Sequence, residues 1–487
     1  MEVGLPDRPR LTRTGATPKT GIVHLGPGAF FRAFNAVYTD EAMAAKGGDW
    51  GIVAVSLRSP TARDQMQPQG GAYTSVTLGA DGNTAKVIHA ITDVLVAPED
   101  PDAVLAAMAD PAVKIVSLTV TEKGYCHAPA TGRLNADHPD ITHDLAHPDQ
   151  PKSAPGFLVS ALAKRRAAGD TPFTVLSCDN LPSNGHLARG VVLDFARLVD
   201  GDLAEWIEAN VPFPATMVDR ITPATTDADV ETLAADAGYY DPACVVHEAF
   251  RQWVIEDNFA DGRPDWAVAG VQFVENVDAH ETMKLRCLNG THSTLAYLGY
   301  LGGYDTISDT VADPAYAALC DMLWRDEILP TVPQPEGEDL PAYAKALLAR
   351  YRDTAIRHRT WQIAMDGSQK LPQRLLGTIS DNLAAGRVPL GLCLAVAGWM
   401  RYIGGVDENG AKIDVRDPLA DRLRAASDQG ETPADKVAAL LEIRDVFPAQ
   451  LAENQAFNGA VTDAFVGLTN RGARSMVTGL VGSSQKV

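Results

Sequence analysis

Gly21-Ile-Val-His-Leu-Gly-Pro-Gly-Ala-Phe-Phe-Arg32 is the stretch on which the fold turns. Gly21–Leu25 reads as a short buried strand, the glycine turn follows, and a helical run continues to about Lys46 before a second strand at Gly51–Leu57. Strand, glycine turn, helix and strand make a βαβ unit of the nucleotide-binding type. Gly26 permits the tight turn, and Gly28 lets the backbone approach a pyrophosphate seated on the helix N-terminus. The third glycine of the usual fingerprint is replaced by Phe31. The acid expected after the second strand is replaced by Ser56-Leu-Arg-Ser59. Arg58 suits either an adenine face or a 2′-phosphate, so the residues alone leave the choice of dinucleotide open.

Working outward, further apolar runs lie at Lys86–Ile91, Val113–Val120 and Phe173–Cys178, with Ala/Leu-rich helices near 102–109 and 156–168. This alternation predicts a parallel, doubly wound sheet. Two strand ends carry polar clusters, Thr121-Glu-Lys-Gly-Tyr125 and Asp179-Asn-Leu-Pro-Ser-Asn184, where such folds bind ligands. Asp179 and Asn180 equally suit a turn and helix cap. Residues 131–155 read as a loop rich in His, Pro and Asp. His138, His143 and His147 lack a regular ligand spacing there, so no metal site is expected. Asp219–Arg220 and Arg251–Glu256/Asp257 read as structural ion pairs within strand-like segments. After a last strand near Val271–Val277 the texture changes to helix after helix. The predicted architecture is α/β: a Rossmann-type doubly wound sheet over residues 1–278, then a mostly α-helical domain over 279–487.

Composition bounds the partners. The chain has 487 residues, 46% hydrophobic and 21% charged, with a net charge of −20. That balance fits a soluble globular protein and argues against nucleic acid or an anionic membrane surface. Six cysteines without a CxxC pair read as reduced, buried thiols in a cytoplasm. Residues 1–20 read as a polar, loosely structured lead-in, with no signal segment and no run of membrane-spanning length.

A second stretch carries the chemistry: Glu281-Thr-Met-Lys-Leu-Arg-Cys-Leu-Asn-Gly-Thr-His-Ser293. On an α-helix Lys284, Leu288 and His292 share a face, and Asn289 flanks Lys284 at about 140° round the axis. A lysine, an amide and an imidazole in an apolar helix cost stability unless each has a partner or a task. Lys284 either snorkels to water or, desolvated, serves as a general base near neutral pH. Arg357-His-Arg-Thr-Trp-Gln-Ile-Ala-Met-Asp-Gly-Ser-Gln-Lys-Leu-Pro-Gln-Arg374 is a dense basic segment in an acidic chain. It is either a solvated face or a cluster that meets an anionic or polyhydroxylated substrate.

Together these segments resemble the polyol-specific long-chain dehydrogenases, the mannitol dehydrogenase family. The resemblance rests on Gly26-Pro-Gly-Ala-Phe-Phe-Arg-Ala33, Thr119–Tyr125, Ser177-Cys-Asp-Asn180, Met217–Pro223, Arg251–Asp257 and Lys284–Ser293. It implies a metal-independent oxidoreductase, NAD in preference to NADP, and Lys284 as acid/base with Asn289 and His292 beside it. Asn180 and Asn289 are expected to hold the developing alkoxide. Gly26, Gly28, Ala29, Phe30, Arg58, Glu122 and Asp219 are the expected cofactor residues. Arg357, Arg359, Lys370 and Arg374 are candidates for a substrate carboxylate, since the basic segment is similar to that of the fructuronate reductase (mannonate oxidoreductase) branch. Mannitol and arabinitol-type polyols remain alternative substrates, and a dinucleotide sensor without turnover is a reading of another class. The family's glycine loop ends Arg-Ala-His, whereas this chain has Arg32-Ala33-Phe34. Family members are often monomers, which favours a monomer or weak oligomer here.

Overall fold

Five short strands, the inner ones buried almost throughout, set the first unit. The structure, a computed structural model, describes residues 8–128 and 131–484, so the start of the polar lead-in lies outside the described residues. Two compact units are present, Met1–Asp278 and Ala279–Val487.

The first unit is built on a five-stranded parallel sheet. From edge to edge its strands are Ile91–Val96, Gly51–Ser56, Thr20–Leu25, Ile115–Leu118 and Thr174–Ser177. In order of appearance along the chain this is 3-2-1-4-5, the doubly wound arrangement of dinucleotide-binding folds. Every residue of Gly51–Ser56, Ile115–Leu118 and Thr174–Ser177 is buried, as helices on both faces require. Helices start where capping chemistry permits. Asp100 accepts from Ala103 N ahead of Pro101–Ala109, and Ser153 accepts from Gly156 N ahead of Ala154–Ala168.

Three sequence expectations are corrected. The run Lys86–Ile91 is not one strand. Thr84–Ile88 pairs antiparallel with Tyr73–Thr77 in a separate sheet, and Ile91–Val96 supplies the edge of the parallel one. The break falls at His89, whose N–H donates to Asp40 at 2.8 Å, a tertiary contact that apolar patterning does not reveal. Residues 131–155 are not all loop: Pro139–Ala146 is a helix whose first turn is capped by the His138 ring. The ion pairs are also different. Arg220 donates to Ala33 O at 2.6 Å and Glu248 O at 3.2 Å. Arg251 lies 4.3 Å over the Tyr38 ring and pairs with Glu41, because Asp257 is about 20 Å further along the strand. Asp257 pairs with Arg263 at 2.9 Å.

The second unit runs from Asp278–Met283 to Ala473–Ser484 as helices, with no named strand among its described residues. Its core surrounds the buried Leu390–Ile403 helix, against which Gln455–Arg471 packs. Three segments are wound as π-helix: Lys284–Gly290, Leu323–Ile328 and Pro372–Leu376. No helix among the described residues is long and apolar enough to cross a membrane. All six cysteines are buried and unbonded.

Gly26 is the steric pivot of the glycine turn. Its φ is +95°, and a β-carbon would stand 2.2 Å from Thr119 O. Gly26→Ala should therefore cost more than about 1–3 kcal/mol of backbone strain, lowering the thermal midpoint by several degrees in calorimetry.

Candidate active site

The sheet reverses its winding between Thr20–Leu25 and Ile115–Leu118, and there the carboxyl ends of the strands leave a crevice. A cleft of about 600 Å³ opens at this point, lined by Gly26, Gly28, Arg58, Thr119, Lys123 and Lys152 among others. Gly26 N donates to Val55 O at 2.9 Å, and its carbonyl receives Thr119 Oγ1 at 2.7 Å, so the turn is tied to the strands on either side. Gly28 has φ −70°, and a β-carbon there would meet nothing nearer than Gly26 O at 4.0 Å. Its missing side chain thus leaves room for a ligand, not for the protein. Ala29 and Phe30 open the helix Ala29–Ala33, whose first turn has neither an acid nor a side-chain cap. Its leading N–H groups stay available to an anion.

Phe31 stands where the fingerprint has its third glycine, and the structure gives the reason. Its ring stacks on His24 with centroids 3.5 Å apart and planes within 8°. His24 in turn bonds Ser117 Oγ at 2.8 Å and Thr119 Oγ1 at 2.9 Å. Burial pushes its pKa down to about 3, so the ring is neutral. Arg58 sits at the rim, paired at 3.2 Å with Asp140, which also lines the cleft. A carboxylate at that position opposes a 2′-phosphate.

The polar strand ends have distinct tasks. Thr121 has φ +63°, unusual for a β-branched residue and costly unless held. Asp179 holds it: the buried carboxylate receives Thr121 N at 2.8 Å, Val120 N at 3.1 Å and Tyr125 Oη at 2.7 Å. Burial raises the Asp179 pKa, and these donors offset part of the rise. Asp179 is therefore a clamp and not the helix cap its position allowed. The helix Asn184–Val199 starts after Ser183 with no side-chain cap. Asn180, one residue beyond the clamp, is exposed at the strand's carboxyl end. Glu122 lies on the one-turn helix Thr121–Gly124, 3.9 Å from His127 Nε2. Asp219 is buried at the end of Thr216–Asp219 in a three-stranded sheet, paired with Gln252. Asp140, Lys152 and Ser153 line the cleft but gave no periodic or motif signal of their own.

In the second unit Lys284 is 8% exposed and opens the π-helix Lys284–Gly290, with Asn289 near its end. Hydrogen bonds in a π-helix close between residues five apart. Asn289 therefore turns toward the face of Lys284, correcting the 140° separation expected for an α-helix. The wide turn is pinned from outside. Tyr351 Oη donates to Leu288 O at 2.8 Å, and Trp324 Nε1 to Cys287 O at 2.9 Å. Thr291 Oγ1 donates to Cys287 O at 2.6 Å.

His292 follows on the next helix, its ring between Tyr351 at 5.5 Å and His358 at 5.2 Å. Its Nε2 is buried with no hydrogen-bond partner. Burial holds its pKa well down, with His358, Arg374, Arg350 and Lys370 adding to the effect. The four basic candidates separate. Arg357 and Arg359 are exposed. Lys370 Nζ donates to Met365 O at 2.6 Å and Ile363 O at 3.4 Å, and burial, then Arg374, lowers its pKa to about 8. Arg374 Nη1 donates to Ser293 Oγ at 3.1 Å, beside His292. Among the described residues no group of His, Cys, Asp and Glu is arranged to hold a metal ion.

Buried neutral histidines make the fold acid-sensitive. His24 is held at about 3, and His247 and His358 at about 4, all by burial. Between about pH 6.5 and 4 the unfolded chain binds these protons and the folded chain does not, so stability rises with pH across that window. Urea midpoints from pH 7 to pH 4.5 should fall, each histidine contributing at most about 1.4 kcal/mol per pH unit.

Comparison with known proteins agrees with this layout. The mannitol dehydrogenase Rossmann domain model matches residues 20–268, and the mannitol dehydrogenase C-terminal domain model matches residues 276–469. The chain is 50% identical to the D-mannonate oxidoreductase of Escherichia coli (strain K12) over 463 residues, 94% of this chain and 95% of that protein. Among solved structures it is similar to Pseudomonas fluorescens mannitol 2-dehydrogenase in ternary complex with NAD and D-mannitol. That match has a TM-score of 0.82 and 38% identity, covering 98% of this chain and 97% of the other. A D-sorbitol dehydrogenase in substrate-free form matches with a TM-score of 0.89 and 32% identity, covering 97% and 98%. The chain belongs to the mannitol dehydrogenase family and is an NAD-dependent oxidoreductase.

Proposed function

We propose that the chain interconverts D-fructuronate and D-mannonate, with hydride exchanged at C5 of the acid and Lys284 handling the proton. The observation that supports the sugar-acid reading is the cationic group around His292, where Arg374 and Lys370 lie half-buried in a chain of net charge −20. Gly26, Gly28, Ala29, Phe30 and the neighbouring cleft would hold NAD, which would supply the hydride exchange. In the oxidative direction Lys284 accepts the C5 hydroxyl proton, and in the reductive direction it returns it. Asn289 lies toward the same face of the π-helix and stabilises the charge that develops on that oxygen. Asn180 is assigned the same donor role from the family motif. Glu281, one turn before Lys284, is suited to relay protons to solvent. Glu122 and Asp219 are assigned to the cofactor side from their motifs alone.

The likeness to a mannitol-bound relative supports a second reading, a polyol 2-dehydrogenase. NADH consumption with D-fructuronate and D-fructose at matched concentrations separates the two. A large preference for fructuronate is the expected result, and preference for fructose would replace the sugar-acid reading. Lys284→Ala should lower kcat by about 10²–10⁴-fold while NADH binding, followed by fluorescence, persists. Unchanged turnover would rule out the lysine mechanism, and turnover in neither protein with any sugar acid or polyol would favour a sensor.

A further inference from the structure

We infer that Arg374 is the residue that receives the substrate carboxylate and so sets the preference for a sugar acid over an uncharged ketose. This rests on the sugar-acid reading above and singles out one of the four basic candidates. Arg357 and Arg359 are exposed, where a guanidinium is already solvated and an added ion pair gains little. The ammonium of Lys370 is occupied by the carbonyls of Met365 and Ile363.

Arg374 differs in three respects. It is half-buried, and its one side-chain hydrogen bond among the described residues is to the neutral hydroxyl of Ser293. No carboxylate among the described residues pairs with it; the groups that favour its charge are the phenols of Tyr297 and Tyr351. A guanidinium has five N–H groups in a planar fork, so most of its donors remain for a ligand. Withdrawing such a charge from water without a counter-ion is costly, and a carboxylate matches the fork in two-pronged fashion. The unmet Nε2 of His292 lies in the same group. The position is also joined to the reacting end. Arg374 belongs to the π-helix Pro372–Leu376, which packs on Lys284–Gly290. A β-carbon at Gly290 would stand 2.9 Å from Arg374 O, so glycine next to Asn289 lets the two segments meet. A ketose offers no charge to this fork, whereas a sugar acid does.

The test compares kcat/KM for D-fructuronate and D-fructose, with saturating NADH, in the full chain and in Arg374→Met, Arg374→Gln and Arg374→Lys. The fructuronate-to-fructose ratio should fall about 100-fold in Arg374→Met, through KM more than kcat, and recover in part in Arg374→Lys. The thermal midpoint of Arg374→Met should be unchanged or raised, because an unpaired buried charge has been removed. An unchanged ratio with a lowered midpoint would make Arg374 a structural post and overturn the assignment. If Arg374→Met does not fold, the ratio in Arg374→Gln decides: loss supports the assignment and retention overturns it. A wild-type chain without preference for fructuronate overturns the sugar-acid reading and the assignment together. A wild-type preference retained by the variants overturns the assignment alone.

Discussion

The helical segment that carries Lys284 leans on side chains that reach its carbonyls. Winding Lys284–Gly290 as a π-helix widens the turn, and Cys287 O and Leu288 O accept hydrogen bonds from side chains. Trp324, Tyr351 and Thr291 meet them, each from a buried position. Two tertiary donors, Trp324 and Tyr351, hold this winding together with Thr291 one turn further on, and the winding turns Asn289 toward Lys284. Tyr351 serves twice, since its ring also stacks against His292. Packing, hydrogen bonding and the presentation of polar groups are one arrangement in this unit.

The first unit follows the same logic around another unfavourable backbone. Thr121 is held at positive φ by the Asp179 carboxylate, which accepts from Val120 N and Thr121 N, while the glycine turn is held by Thr119 and His24. Each device ties the end of one parallel strand to its neighbour, fixing the cleft mouth at the point where the sheet changes its winding direction. The price is a buried carboxylate and a buried imidazole, both displaced from their ordinary titration ranges.

Charge is distributed against the overall balance. The chain is acidic, with a net charge of −20, yet the surroundings of His292 are cationic or neutral. Solvated acids on the outside favour solubility, whereas cations withdrawn from water favour a nearby anion over a neutral group.

The sequence by itself determined the class of fold and the identity of the chemical groups. Parallel strands buried on both faces must be continuously apolar, so Gly21–Leu25, Gly51–Leu57 and Phe173–Cys178 were legible, as was the helical texture after the last strand. Gly26 was legible because a close turn admits no side chain, Gly28 because glycine there leaves room for a ligand, and Lys284, Asn289 and His292 were legible as candidates because polar groups in an apolar helix are costly. Tertiary structure decided the rest. The pairing of Arg251 with Glu41, the splitting of Lys86–Ile91 and the clamp of Asp179 on Thr121 are contacts between segments far apart in the chain. The π-winding that reorients Asn289 has no local signature either, because its stabilising donors come from Trp324 and Tyr351. Local patterning reports which surface a segment must bury, whereas geometry at a site is set by which distant groups arrive to satisfy it.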